Sequence, residues 1–195
     1  MKFQIIKLLL ICLIFSSCKP IMQIAGFYKK PRYEDKASLD KFFKDRKSGN
    51  LFIAKNLQSF LILNDSMDNS LPKLYIFNKE GNEIYSEMSC SWSKISILDS
   101  VYVKKEDSDS SLKMNNLLSY FKQINTEKEN VDVNKKYDYY IIYAWAKYVP
   151  RLSKMMRKDV EKIKEKYKGK DIYFASINYD LQKEWESKII SSKNP

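Results

Sequence analysis

The chain has 195 residues, with 35 Lys and Arg against 24 Asp and Glu, for a formal net charge of +11. That length is enough for one domain with a sizeable core and does not require a second. Histidine is absent, which excludes imidazole acid–base catalysis, histidine–metal sites and histidine-containing triads.

Met1 to Lys7 is a short basic start, and Leu8 to Phe15 is an apolar run too short to span a bilayer as a mature helix. Ser16 and Ser17, both small, stand just before Cys18. The pattern reads as a cleaved export signal over residues 1–17. Phe15-Ser-Ser-Cys18 resembles the bacterial lipobox, with Phe15 where Leu is more usual. The resemblance implies a lipoprotein signal peptide, a diacylglycerol on the Cys18 thiol, and a place in the bacterial cell envelope, periplasmic or surface-facing. Acyl chains contribute about 0.8 kcal/mol per buried CH₂, so several of them hold a domain on a membrane durably. The alternative is an ordinary signal peptide that happens to contain Cys18.

No later stretch offers the roughly 18–20 consecutive apolar residues of a transmembrane helix. Removing residues 1–17 takes Lys2 and Lys7 and lowers the net charge to +9. A basic balance can serve nucleic acid or an anionic membrane. Here the basic residues are interleaved with Asp and Glu, and no basic run sits among stacking aromatics, so no nucleic-acid partner is expected. Two cysteines remain, Cys18 and Cys90, and an acylated Cys18 leaves no pair for an internal disulfide.

Lys19 to Lys36 is polar, with Pro20, Gly26 and Pro31, and has no sustained period. Residues 18–37 are therefore expected to be a tether and 38–195 a single α/β domain. Ser38 is a candidate cap for a helix carrying Leu39, Phe42 and Phe43, which Ser48-Gly49-Asn50 would stop. Leu51 to Ala54 and Phe60 to Leu63 are short apolar runs of strand type. Leu74 to Phe77 and Asn82 to Tyr85, separated by a loop containing Gly81, predict a hairpin. Ile95 to Val103 is a further element of undecided type, and Glu106 to Ser111 a charged loop. Ser110 or Ser111 is a candidate cap for a helix with Leu112, Leu117, Leu118 and Phe121 on one face.

The chain is organised around residues 139–180. Tyr139 to Ala144 carries no charge, which suits a strand covered on both faces. An amphipathic helix follows, with Pro150 at its first position, a stripe of Leu152, Met155, Met156, Val160, Ile163 and Tyr167, and Gly169 just past its end. Ile172 to Ile177 is the second strand, completing a βαβ unit.

Between the first strand and the helix stands Trp145-Ala-Lys-Tyr-Val-Pro-Arg-Leu152, which resembles the Trp-Ala-x-Trp-Cys-x-x-Cys segment of thioredoxin-like thiol-disulfide oxidoreductases. Val149 and Leu152 occupy the two cysteine positions. Leu71-Pro72-Lys-Leu-Tyr-Ile-Phe77 is similar to that family's cis-proline and following strand, although in the family it comes after the dithiol helix and here before it. The resemblance implies a thioredoxin-like mixed sheet with flanking helices and a rearranged strand order. Only 15 residues follow Asp180, too few to complete the sheet, so the hairpin after Pro72 is expected to pair beside Tyr139 to Ala144. Any parallel βαβ unit with an aromatic after its first strand would leave the same trace.

Valine and leucine cannot form a thiolate or a mixed disulfide, so the resemblance implies a scaffold without its reagent. Cys90, in Ser89-Cys-Ser-Trp92, is the one thiol left, and a lone cysteine is more often a small buried hydrophobe than a nucleophile. Asp99, Glu106, Asp107 and Asp109 lack the calcium-loop spacing, and no metal or cofactor is assigned. Two functions stand. One is a lipid-anchored, non-enzymatic binding or assembly module with an envelope protein as partner; the other is an envelope redox protein, of oxidoreductase or peroxiredoxin type, using Cys90.

Overall fold

The computed structural model describes residues 26–44, 50–66, 71–88, 112–124 and 137–193. Cys18, Cys90, the run Ile95 to Val103 and the acidic loop Glu106 to Ser111 lie outside these residues. In chain order the elements are β1 (Tyr33–Glu34), α1 (Lys36–Lys44), β2 (Asn50–Ala54), α2 (Leu57–Ser66), β3 (Lys73–Asn78), β4 (Glu83–Met88), α3 (Met114–Ser119) and β5 (Phe121–Gln123). There follow β6 (Tyr139–Trp145), α4 (Pro150–Lys166), β7 (Ile172–Asn178), β8 (Leu181–Gln182), a 3₁₀ turn (Lys183–Trp185) and α5 (Glu186–Lys193).

The fold is mixed α/β. Six strands form one sheet in the order β4-β3-β6-β7-β2-β5, and β1 and β8 form a second, two-stranded parallel sheet. Strands β6, β7 and β2 run parallel, with β6 and β7 matched from Tyr139↔Ile172 to Trp145↔Asn178. The hairpin of β3 and β4 turns at Gly81, whose φ of 77° a side chain would strain. It joins the sheet through β3, antiparallel to β6 from Lys73↔Ala144 to Asn78↔Tyr139. Pro72, buried and preceded by a cis peptide bond, therefore enters β3 level with the C-terminal end of β6.

Strand alternation sorts the core into two layers. Tyr75, Phe77, Ile142, Ala144, Tyr173, Ala175 and Ile177 face one side, where Leu63 of α2, Leu117 of α3 and Trp185 cover them. Leu74, Ile76, Ile141, Tyr143 and Trp145 face the other, under Leu39 of α1 and Met156, Val160 and Ile163 of α4. Phe42 stacks on Trp145 with centroids 4.7 Å apart. A large apolar side chain buried in either layer contributes about 1.5–3 kcal/mol.

Four sequence expectations are corrected. Phe60 to Leu63 is not a strand but part of helix α2. Asn56 caps it, its side-chain oxygen accepting from Ser59 N at 2.8 Å and its carbonyl from Phe60 N at 3.1 Å. Leu57, Phe60 and Leu63 then turn inward at helical spacing, leaving Leu61 and Ile62 outside. The cap of α1 is Asp35, whose side chain accepts from Ser38 N at 2.7 Å, so Ser38 lies inside the first turn. Helix α3 starts after Lys113, with no side-chain cap, and Phe121 belongs to β5, because the chain leaves the helix at Tyr120 to pair with β2. Finally, residues 26–37 are not all tether. Lys29 N donates to Tyr148 O at 2.7 Å, Tyr28 packs edge-on against Tyr148, and β1 pairs with β8.

Candidate functional site

In open α/β sheets, ligands collect outside the carboxyl ends of parallel strands. At that end of β6 and β7 a polar cluster closes over the apolar layers. Asp180, just past β7, is buried, and both of its carboxylate oxygens accept from the backbone N–H of Lys147 at 2.9 Å. Asn178 Nδ2 donates to the same carboxylate at 2.6 Å, and Asp180 N donates back to Asn178 Oδ1 at 3.2 Å. Burial pushes the Asp180 carboxyl up to about 6, against the pull of the Asn178 and Lys147 hydrogen bonds, and the nearby Glu34 charge adds to the rise.

The Lys147 side chain turns the other way, to Glu34 of β1 and Ser38 of α1. Its ammonium donates to the Glu34 carboxylate and to Ser38 Oγ, and Ser38 Oγ donates to Glu34. One residue thus ties the β6–α4 turn to the second sheet by its side chain and to β7 by its backbone. Glu34, Ser38 and Lys147 line an open cleft of about 620 Å³ together with Arg32, Lys183 and Glu186.

Of the residues singled out in the sequence, Val149 and Leu152 stand at the start of α4, Val149 as its N-cap and Pro150 at the first turn. Val149 is 3% exposed and packs in the same layer as Tyr75 and Tyr179, while Leu152 is half-buried. Pro72 enters β3 at this same end of the sheet. Burial pushes the Tyr148 phenol upward, with Tyr28 and Asp180 contributing, and the Tyr179 phenol likewise. Among the described residues no group of three or more acidic or cysteine side chains could hold a metal, and no helix is long and apolar enough to cross a membrane.

Ser153 was missed by the apolar stripe, although a serine at a core-facing position was the available signal. It is buried, its Oγ donating to Ala146 O at 2.9 Å and accepting from Ala146 N at 3.3 Å. This clasp fixes the turn between β6 and α4. Ser153→Ala leaves both backbone groups without that partner and is expected to cost about 2 kcal/mol in urea denaturation; a loss below about 0.5 kcal/mol would show that the turn holds itself. Lys147, Glu34 and Asn178 were also missed as a cluster, because nothing in their sequence spacing brings them together. No family model, no curated protein and no solved structure matches the chain.

Proposed function

We propose that the protein is a lipid-anchored bacterial envelope protein whose thioredoxin-like domain has lost its dithiol and serves as a binding or assembly module. The observation that carries the reading is the pairing of Lys73 with Ala144. It brings the Pro72 hairpin beside the strand that ends in Trp145-Ala146, at the end where Val149 and Leu152 begin α4. That is the neighbourhood of cis-proline and dithiol in the family the sequence resembles, with valine and leucine in place of the thiols. Val149 acts as a core side chain there.

The experiment has two parts. Expressed in a bacterial host fed labelled palmitate, the chain is expected to incorporate label and fractionate with membranes, and Cys18→Ser to abolish the labelling. In an insulin-reduction assay the purified chain is expected to give no turnover above the reductant alone, since dithiol exchange needs two neighbouring cysteines. Labelling that survives Cys18→Ser would sink the anchor, and chain-dependent turnover would sink the non-enzymatic reading.

A further inference from the structure

The described body begins at Gly26, and this start lies against the first turn of α4. A Cβ at Gly26 would sit 3.5 Å from Arg151 Nε, the Arg151 guanidinium lies over the Phe27 ring at 5.3 Å, and Lys29 N bonds to Tyr148 O. Eight Cα–Cα steps, with seven residues between, separate Gly26 from Cys18. Fully extended, they reach at most about 28 Å, comparable with the roughly 25 Å length of a 17-residue helix such as α4.

The same end of α4 is basic. Ser153, Met156, Val160 and Ile163 face the sheet, which turns Arg151, Lys154 and Lys158 outward along one line, all exposed. The first turn has no acidic residue. The acids Asp159, Glu161 and Glu165 come later, Asp159 paired with Lys162 at 3.5 Å and Glu161 with Arg157 at 3.6 Å. Lys29 and Lys30, also exposed, continue the patch, and Tyr28 adds an exposed amphipathic ring of the kind found at membrane–water interfaces. The positive end of the helix dipole points the same way.

We infer that this patch, formed by Tyr28, Lys29, Lys30, Arg151, Lys154 and Lys158, is a docking surface for anionic lipid headgroups. It turns the first half of α4 toward the bilayer. Its charge is independent of the lipid anchor, but its closeness to a bilayer rests on the anchored reading of Cys18. Each Lys or Arg brought to an anionic leaflet favours the bound state by about fivefold.

The test uses the full lipidated chain on vesicles of phosphatidylcholine alone or of phosphatidylcholine mixed with phosphatidylglycerol, with lysine acetylation read residue by residue by mass spectrometry. Lys29, Lys30, Lys154 and Lys158 are expected to react about fivefold more slowly on the anionic vesicles, while Lys79, in the hairpin turn, is unchanged. In Lys154→Gln/Lys158→Gln, both changes being on exposed side chains, Lys29 and Lys30 are expected to return to their rate on neutral vesicles. Equal rates on both vesicles, equal slowing of Lys79, or the same protection by duplex RNA in place of vesicles would each overturn the lipid assignment. The anchor is read separately, by association with neutral vesicles and its loss in Cys18→Ser. Failure there sinks the anchor while leaving the footprint on anionic vesicles to judge the patch.

Discussion

Phe77→Ala is expected to lower folding stability by about 4 kcal/mol. The ring is 0% exposed, stacks near Tyr75 at 6.2 Å, and stands in β3 opposite Tyr140 of β6. Its loss removes transfer free energy and leaves a cavity that strands on both sides prevent from collapsing. Urea denaturation measures it, with Leu61→Ala as the control. Leu61 is 51% exposed on the outer side of α2, so its truncation is expected to change stability by less than about 0.5 kcal/mol. A Phe77 effect as small as that of Leu61 would mean that the hairpin is an appendage and not a wall of the core.

The second large effect is a pH dependence centred on Asp180. Its carboxyl titrates near 6 in the folded chain, against an ordinary value of 3.8. The folded state therefore holds this proton more tightly than the unfolded state. Tighter binding stabilises the fold in acid, and the contribution disappears as pH rises through about 6. The difference in pKa corresponds to roughly 3 kcal/mol. Asp180→Asn carries no titrating group, so the stability of the wild type relative to this variant is expected to fall by about that amount between pH 3 and pH 7. A flat difference across the window would show that Asp180 stays ionised in the fold.

The elements legible in the sequence are those with their own local signature. Tyr139 to Ala144 and Ile172 to Ile177 are uncharged because both faces of β6 and β7 are covered, and Pro150 and Gly169 bracket α4 because one removes an unneeded donor and the other takes a φ of 99°. The four-residue run at Phe60 was not decisive, since apolar residues in a row suit a strand or a half-buried helix equally, and Asn56 settled it. Strands β1 and β8 have two residues each and β5 has three, too few to show a period. The polar cluster was illegible for another reason: Lys147 meets Asp180 33 positions later, and Ser38 and Glu34 109 and 113 positions earlier. Asp180 was visible as the end of a strand, but its carboxylate matters only because β6 ends beside it.

The register of two of the parallel pairs imposes an order in time. β2 is made early, yet its neighbour in the middle of the sheet is β7, reached through Asn50↔Ala175 and Ile53↔Asn178, and β1 waits for Leu181 and Gln182. A ribosome adds roughly 5–20 residues per second, so these early strands spend many seconds without their parallel partners. The six-stranded sheet cannot close until residues 172–178 have been made, although the β3–β4 hairpin, whose strands are neighbours in the chain, can form earlier. The central seam, where β7 lies between β6 and β2, is therefore the last part of the sheet that a growing chain can complete.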